Sequence, residues 1–512
     1  MKIRISVFSV IVIALACALA MAQAQQNANL TDASYRRARE VLDAGQKALG
    51  VWGMKHKIED VSFKANGKLF ARNQSPTPER IEALPLTAEY AFDFKSNRIF
   101  WHVETTFPGG FPVNNTVLYK GDQGQIVLPI QRTVGPIPPP GTRQFFVLRV
   151  PQAILAQAYE RANTLRWLGE ATFEGKKQNV ISYATAAGAQ TTLYFDASTN
   201  LLTKSETLGN DPIAGDAVTE SIILGWQNVN GVQFPTGQIT KIAGEMAQDY
   251  RYSDVRINSK LPDSIFEPPK DYAAAPPPPS GQLAVNELSK GVWLLEGLGG
   301  GFYAPLVVEF SDHVMVVEPA LNEATSRAVL DKVKELAPGK PVRYVAATHH
   351  HSDHSGGART FFAEGVTLVT TPGNVNYFQR FATTRFTMPP DAQQLNPRAP
   401  KIETIQNKKR VFSDAGRTVE LIDIGPNSHA KEMVVAWLPK ERILYCGDLL
   451  GRYPDNSITP AIQATVDFAA AIERLALPVE RIVDTHSRVN TMADLRESLE
   501  KGRNASQPAG NK

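Results

Sequence analysis

The sequence has little cysteine and little net charge. Cys17 and Cys446 are the two cysteines of the 512 residues, and Cys17 lies in an amino-terminal segment that we expect to be removed, so we expect no intramolecular disulfide. A chain of this length can bury a large core without one. The formal net charge of +3 falls to +1 once Lys2 and Arg4 are removed. This balance argues against a nucleic-acid partner or binding to an anionic membrane surface.

Long apolar runs are missing after the first two dozen residues. Those residues have a basic start, an apolar stretch at 7–16 and an A-x-A cleavage site at 22–24, which predicts a signal peptide at 1–24. The apolar stretch is too short to span a bilayer comfortably. We therefore predict an exported protein, periplasmic or secreted, with no integral membrane segment after processing. Lipoprotein anchoring through Cys17 is less favoured, because the leucine usual three residues before such a cysteine is absent.

Proline is concentrated between residues 268 and 284, where four prolines follow one another at 276–279. Such a run adopts extended polyproline II and acts as a semi-rigid spacer. The predicted organisation is a β-rich domain at 25–267, a linker at 268–284 and a second domain at 285–512.

The first domain is predicted as an antiparallel sheet with a helix-like segment at 32–49 and one helix-rich end at about 152–167. Alternating apolar and polar residues predict strands at 61–65, 88–94, 98–104 and 191–195. The segment 195–204, a strand, turn and strand, resembles the lipoprotein-carrier half-barrels of the bacterial envelope. His56 and His102 are read as isolated polar histidines. The loops at 107–112 and 136–140 are read as rigid loops packed on a core, with a lipid or substrate groove as the alternative.

The second domain is predicted as α/β. Strands at 291–296, 306–310 and 314–318 precede an amphipathic helix at 322–336 and a buried strand at 342–347. The glycine run at 297–301 is not a phosphate loop, because no G-x-x-x-x-G-K-[ST] pattern follows and the next segment is a strand.

A cluster of histidines follows the strand at 342–347. Imidazole and carboxylate groups of His349, His351, Asp353 and His354 lie within six residues, and residues two apart share a face of an extended segment. Open α/β sheets place their sites at the carboxyl ends of strands. Mixed imidazole and carboxylate ligands suit a hydrolytic metal, so we predict a metal site rather than a surface histidine cluster.

Three further polar residues follow or end short apolar runs that read as strands. They are His429, Asp448 and His486, near the predicted strands 419–424, 433–438, 443–446 and 481–483. The repeated placement of a metal-ligating residue at a strand end favours one shared site.

In order and setting, these residues resemble the metallo-β-lactamase-fold metallohydrolases, over roughly residues 286–486. The resemblance implies an αββα sandwich in the second domain. Together with the half-barrel resemblance of the first domain, it gives an α+β chain of two domains as the predicted fold class. It also implies that His349, His351 and His429 hold a first metal and that Asp353, His354 and His486 hold a second. Asp448 would bridge the two metals, and the pattern is more similar to glyoxalase II than to enzymes with a cysteine ligand.

The implied cofactor is Zn²⁺, two ions per chain, with iron or manganese as alternatives. A water between two metals has a pKa lowered to about 7 and attacks a carbonyl or phosphoryl centre. The predicted catalytic residues are Asp353 and Asp448, the former also as proton acceptor. His350 is expected to point away from the metals, and Cys446 to be a buried strand residue.

The predicted function is an exported dinuclear hydrolase acting on a small-molecule ester, thioester, lactone or lactam. Arg385, Arg452 and Tyr453 are candidate substrate contacts because they lie near the motifs. Residues 374–401 are either a lid over the site or a short surface helix. Two alternatives stay open: an envelope protein that binds a lipid or partner and carries a metal-stabilised scaffold, and an iron-dependent oxygenase of the same fold.

Overall fold

The computed structural model describes residues 29–51, 58–129, 131–137, 149–275, 283–453, 455–486 and 489–505. The predicted signal peptide, His56 and the proline run of the predicted linker lie outside this part of the chain. The predicted fold class is confirmed, because the described chain is a mixed α+β protein that consists largely of sheet. Among the helices described, none is both long and apolar enough to cross a membrane.

The first half of the chain has two helices, α1 (Leu30–Ala48) and α2 (Pro151–Glu160). Its strands are β1 (Asp60–Phe70), β2 (Ala83–Asp93), β3 (Arg98–Phe107), β4 (Phe111–Lys120), β5 (Gln123–Leu128), β6 (Thr133–Pro136), β7 (Arg166–Phe173), β8 (Lys176–Ala184), β9 (Gln190–Asp196), β10 (Leu202–Asp211), β11 (Gly215–Val229), β12 (Val232–Ile242), β13 (Glu245–Ile257) and β14 (Ala273–Ala274). Three-residue 3-10 turns occur at Pro108–Gly110 and Ala162–Thr164, and a four-residue one at Asp263–Phe266.

The second half alternates strands and helices. Its strands are β15 (Ala284–Ser289), β16 (Val292–Glu296), β17 (Leu306–Glu309), β18 (Val314–Val317), β19 (Val342–Ala346), β20 (Thr367–Thr370), β21 (Lys401–Thr404), β22 (Lys409–Ser413), β23 (Thr418–Asp423), β24 (Val434–Leu438), β25 (Ile443–Tyr445), β26 (Arg481–Val483) and β27 (Val489–Thr491). Its helices are α3 (Glu323–Leu336), α4 (Ser352–Ser355), α5 (Ala358–Ala363), α6 (Val375–Thr383), α7 (Ala392–Leu395), α8 (Gln463–Leu475) and α9 (Met492–Ala505), with a 3-10 turn at Pro372–Asn374.

Packing divides the chain into two compact units. Of the described residues, the first unit comprises 29–51, 58–59, 149–208 and 218–240, and the second comprises 60–129, 131–137, 209–217, 241–275, 283–453, 455–486 and 489–505. Residues 60–140 therefore belong to the same unit as the C-terminal half. The linker predicted at 268–284 stays a prediction.

The first unit packs α1 against its strands, which neighbour one another in the order β7-β8-β9-β10-β11-β12. Phe195 of β9 is fully buried and lies so close to Gly45 that a Cβ on this glycine would come within 2.4 Å of the ring. The helix-rich end predicted at about 152–167 consists of α2, which ends at Glu160, and the 3-10 turn at Ala162–Thr164. Trp167 instead pairs with Ile181 of β8, and its N–H donates to Ser34 Oγ at 2.8 Å, so strand pairing replaces helix there.

The amino-terminal strands of the second unit form a sheet in the order β14-β6-β5-β4-β3-β2-β1-β13. Its pairs are antiparallel, as predicted, apart from the parallel pair of β14 and β6. Phe63 stacks on Tyr90 with ring centroids 4.8 Å apart and meets Tyr252 at the same distance. These cross-strand aromatic contacts fix the register of the middle of the sheet.

The C-terminal half is a four-layer sandwich. One sheet runs β15-β16-β17-β18-β19-β20-β21 and the other runs β22-β23-β24-β25-β26-β27. Alternate residues of each strand face opposite layers. Leu294 and Val308 pack with Leu421 and Ala436 between the two sheets, whereas Trp293 packs towards the helices on the outer side of the first sheet.

A second helical layer covers the other sheet. Trp437 and Leu444 pack with Phe468 of α8 and Leu495 of α9. The layers are thus helix, sheet, sheet and helix, the αββα order that the resemblance implied. This arrangement brings the carboxyl ends of strands from both sheets together.

Candidate metal centre

The histidine motif leaves strand β19 as extended chain and then turns into a short helix. His349 and His351 lie on the extended part, and His351 has the extended dihedral angles φ −54° and ψ 145° of a residue that precedes a helix. Asp353 and His354 lie on α4. The expectation that Asp353 shares an extended face with the histidines is therefore wrong, because a helical turn turns it and His354 towards a different group of ligands.

The other predicted ligands come from the second sheet. His429 follows β23, Asp448 follows β25 and His486 follows β26, so all three lie beyond the carboxyl ends of their strands. The turn that carries Asp448 depends on Gly447, which has φ +65° and where a Cβ would lie 3.0 Å from Thr348 Oγ1. A larger residue would have both a strained backbone and a clash at this position.

The structure brings all seven predicted ligands together in two groups that share one carboxylate. The first group is His349, His351, His429 and Asp448, and the second is Asp353, His354, Asp448 and His486. Within each group the ligand atoms lie within 4.8 Å of one another.

Asp448 faces both groups, one carboxylate oxygen to each. Its Oδ2 lies 3.0 Å from His429 Nε2, and its Oδ1 lies 2.7 Å from His354 Nε2 and 3.2 Å from His486 Nε2. This division is the geometry that a carboxylate bridging two cations requires.

In the first group, each imidazole is held by its outer nitrogen. His351 Nε2 donates to the Ser75 carbonyl at 3.0 Å, and His429 Nδ1 donates to the Pro108 carbonyl at 3.4 Å. Since a carbonyl can only accept, the proton of each ring must lie on that nitrogen. The inner nitrogens, His351 Nδ1 and His429 Nε2, are therefore left with free lone pairs.

Glu318 connects the two ligand groups through its contacts with Thr348 and His354. The Thr348 hydroxyl donates to Glu318 Oε2 at 2.7 Å, so it accepts from His349 Nδ1 at 3.0 Å. The same Oε2 atom lies 3.1 Å from His354 Nδ1. Glu318 is completely buried and thus orients one histidine of each group.

The remaining two ligands of the second group are also oriented from outside. His486 Nδ1 donates to the Phe302 carbonyl at 2.9 Å, and Asp353 Oδ1 accepts from Gln74 Nε2 at 2.7 Å. The side chains of Asp353 and His486 are 24% and 33% exposed, whereas His349 and His351 are buried. Asp353 and His486 therefore lie on the side of the centre that solvent reaches.

The local electrostatics reflect the crowding of these groups. Burial lowers the pKa of His349 well below its usual value, and the neighbouring His354 and His351 lower it further. Burial would also lower the pKa of His354, but Asp448, Asp353 and Glu318 together raise it well above the usual value. Burial raises the pKa of Asp448, yet His354 and His486 outweigh that effect and hold it well below its usual value. The site thus favours positive charge next to Asp448.

These donors fit a metal ion. His349 Nε2 lies 3.1 Å from His429 Nε2, and His354 Nε2 lies 3.2 Å from His486 Nε2. Two imidazole lone pairs held this close repel each other unless a cation or proton lies between them. His351 Nδ1 is buried with no hydrogen-bond partner among the described residues. Three imidazoles and a carboxylate on one side, and two imidazoles and two carboxylates on the other, are ligand sets suited to zinc.

Other residues singled out in the sequence are not members of either group. His350 is buried, with its ring 5.7 Å from that of Tyr377. Cys446 is buried in the core beneath the second helical layer. His102 bonds to Thr116 Oγ1 at 2.9 Å. None of the three is a member of the ligand groups.

The three candidate substrate contacts have different surroundings. Arg452 Nε donates to Asn490 Oδ1 at 2.6 Å, and Arg452 Nη2 forms an ion pair with Asp494 Oδ1 at 2.9 Å. Its guanidinium therefore holds the start of α9 in place. Arg385 has a side chain that is 79% exposed and lies 3.4 Å from Asp216. Tyr453 is half-buried, and burial raises its pKa. The role of these three residues in substrate binding stays a prediction.

Five groups around the ligands were not identified from the sequence. They are the side chains of Gln74 and Glu318 and the carbonyls of Ser75, Pro108 and Phe302. Glu318 had a signal, because it follows the apolar strand β18 just as the ligands follow theirs. The carbonyls had none, since every residue has one.

Comparison with known proteins identifies the region that carries the centre. The family described as the metallo-beta-lactamase superfamily matches residues 298–486. The alpha subunit of a 2,4-dinitroanisole O-demethylase from a Nocardioides species is 24% identical over 225 residues, 44% of this chain and 60% of that subunit. A linear primary-alkylsulfatase from a Pseudomonas species is 40% identical over 53 residues, 10% of this chain and 8% of that enzyme. This chain therefore matches less than two thirds of the length of either relative.

Solved structures are similar to this chain over the same share of its length. A metallo-beta-lactamase from Pontibacter korlensis covers 44% of this chain with the whole of its own, at 21% identity and a TM-score of 0.33. The DIM-1 metallo-beta-lactamase covers 44% with 99% of its own, at 17% identity and the same TM-score. Members of the matched superfamily are typically metal-dependent hydrolases. Residues 298–486, with their αββα layers and paired ligand groups, are a metallo-beta-lactamase superfamily domain.

Proposed function

We propose that this protein is an exported hydrolase with two metal ions, which cleaves an ester, thioester, lactone or lactam bond in a small molecule. The observation that supports this most strongly is the shared carboxylate, Asp448, with one oxygen directed to each ligand group. Export is inferred from the leader pattern at residues 1–24.

Seven residues would hold the ions. His349, His351 and His429 would bind the first ion, Asp353, His354 and His486 the second, and Asp448 both. When bound, the ions supply the positive charge that lowers the pKa of an attacking water and polarises the substrate carbonyl. Zinc suits the donors best, because imidazole nitrogens outnumber carboxylate oxygens in the combined set.

The protein's own groups would then orient the attacking water and transfer its proton. The attacking water forms a bond from its oxygen to the carbonyl carbon, and the bond from that carbon to the leaving group breaks. Asp353 is suited to accept the water's proton, because it is the more exposed of the two carboxylates and its Oδ2 faces the second group. The proton then passes to the leaving group, so that Asp353 returns to its starting state.

Metal content per chain tests this proposal. The mature protein, purified without a histidine tag or chelator, is expected to contain about two zinc ions by elemental analysis. Asp448→Ala is expected to lower that content and abolish hydrolysis in an ester, thioester, lactone and lactam screen. Asp122→Ala, the same change at an exposed turn, is the matched control and should retain both ions.

The contrary results are distinct. About one iron per chain would replace the proposal with an iron-dependent oxygenase. A protein that takes up no metal even after zinc is added back would refute catalysis at this site. Two zinc ions with no hydrolysis of any of the four bond types would refute the proposed substrate class.

A further inference from the structure

The loop between β1 and β2, residues 71–82, has a fixed shape. The Ala71 N–H donates to the Glu82 carbonyl at 2.8 Å, which closes the loop at its base. Inside it, the buried Ser75 hydroxyl donates to the Ala71 carbonyl and accepts from the Glu82 N–H, each at 2.8 Å. The loop therefore presents its backbone in one conformation.

This loop is bonded to two of the three stretches of chain that carry the histidine ligands. The Ser352 N–H donates to the Asn73 carbonyl at 3.0 Å, and the Lys431 N–H donates to the Pro76 carbonyl at 2.8 Å. Ser352 lies between His351 and Asp353, and Lys431 lies two residues after His429. Two carbonyls of the loop therefore hold the backbone beside the ligands, and a third, that of Ser75, accepts from the His351 ring.

Gln74 is the loop residue whose side chain reaches a ligand. Its Nε2 donates to Asp353 Oδ1 at 2.7 Å and lies 3.3 Å from Ser352 Oγ. The other oxygen, Asp353 Oδ2, lies 3.3 Å from both His354 Nε2 and His486 Nε2. The amide thus holds one carboxylate oxygen outward, which leaves the other directed into the second ligand group.

We propose that Gln74 is a positioning residue for the second metal ion, and that the loop at 71–82 makes the affinity for this ion depend on the amino-terminal sheet. The inference rests on the metal centre of the proposed function. Without the amide, the partly exposed Asp353 side chain can rotate and hydrate, so that ordering it costs part of the binding energy of the ion. Within the part of the chain that the structure describes, the side-chain hydrogen bonds of Gln74 go to Ser352 and Asp353 and not to the first group, so the ion of that group should bind unchanged.

Stepwise zinc binding tests the proposal without relying on activity. The metal-free full chain is titrated with Zn²⁺ against a chromophoric chelator, and Co²⁺ spectra report the two ligand environments separately. Gln74→Ala is expected to weaken the second binding step by about 10–100-fold and to leave the first within about threefold. Gln74→Met, which retains the length but lacks the donor, should lose as much as Gln74→Ala.

Two controls separate positioning from general damage. Thr77→Ala changes the same loop, and Gln123→Ala removes an exposed amide from β5. Both should bind two ions like the unchanged protein.

The outcomes discriminate between this proposal and the proposed function. Equal weakening of both steps, no weakening, or recovery in Gln74→Met would overturn the role of Gln74. Selective loss of the second step in a protein that hydrolyses no substrate would support Gln74 and refute the proposed function. A full chain that binds no zinc would overturn both.

Discussion

At the scale of single residues, Glu318 is the group on which both halves of the centre depend. Its carboxylate is fully buried, and it contacts Thr348, which holds His349, as well as His354 directly. Its backbone has φ +88°, a left-handed conformation that costs a non-glycine residue about 1–2 kcal/mol. A strained backbone that persists at a site is held there by its contacts, in this case the bonds to Thr348 and His354.

Glu318→Ala is therefore expected to weaken zinc binding at both steps, by about 10–100-fold. The loss at both steps distinguishes it from Gln74→Ala, which should affect one. Glu318→Gln keeps an acceptor for the Thr348 hydroxyl but removes the charge facing His354, so its loss should be smaller at the first step than at the second. The same chelator titration measures all three variants. Normal affinity in Glu318→Ala would show that the histidines are ordered without this carboxylate.

At the scale of secondary structure, the segment 374–401 shows what the sequence left open. A lid and a short helix were the alternatives, and the structure has a nine-residue helix, α6, at Val375–Thr383. Tyr377, Phe378 and Phe381 on one face of this helix are buried in the core beside the first sheet. Apolar residues spaced three and four apart here serve packing, and a part of the segment so buried is not free to open.

Arg359 holds the end of this helix and the chain that follows. Its Nη1 donates to the carbonyls of Phe381 and Ala382 at 2.7 and 3.1 Å, and its Nη2 bonds to Asp391 Oδ1 at 2.9 Å. The guanidinium is buried, and Asp391 also caps α7 by accepting from the Gln394 N–H. The Arg359 side chain thus joins the end of α6 to Asp391, the residue that caps α7.

Arg359→Ala is expected to lower the free energy of unfolding by about 3–5 kcal/mol, because it leaves a buried carboxylate and two carbonyls without their donor. Asp391→Ala should cost less, since the carbonyls remain bonded to Arg359. Denaturant unfolding of both single variants and the double variant measures the coupling. An additive double variant would contradict the pairing, whereas a loss in the double variant close to that of Arg359→Ala would confirm it.

At the scale of the whole molecule, the sequence predicted the ligands better than their surroundings. His429, Asp448 and His486 were identifiable because ligand-type residues at strand ends form a local pattern that a single sequence displays. Their assembly into two groups follows from the sandwich, which brings strand ends from both sheets together. The assignment of ions to these groups stays a prediction until metal is measured.

No local sequence pattern indicated the contacts that the amino-terminal sheet makes with the ligands. Gln74 lies 279 residues from Asp353, and the carbonyl that holds His429 lies 321 residues away at Pro108. Alternation along a strand predicts which side chains are buried, but strand partners are joined through backbone groups that every residue has. Residues 60–140 pack in one unit with the C-terminal half. The two domains predicted on either side of residues 268–284 stay a prediction.

The packing of residues 60–140 with the C-terminal half predicts how the chain behaves when it is cut. Cleavage at a protease site inserted between Pro277 and Pro278 separates Gln74, Ser75 and Pro108, which contact the ligands, from the ligands themselves. Because the loop at 71–82 and the Pro108 carbonyl contact the ligand-bearing chain directly, the two fragments are expected to elute together in size-exclusion chromatography and to retain both zinc ions. The uncut insertion variant serves as the control. Fragments that separate, with the C-terminal one still binding two zinc ions at full affinity, would show that the domain is complete without the amino-terminal sheet. Fragments that separate with loss of the second ion alone would instead place the contribution of that sheet at Asp353, where Gln74 bonds.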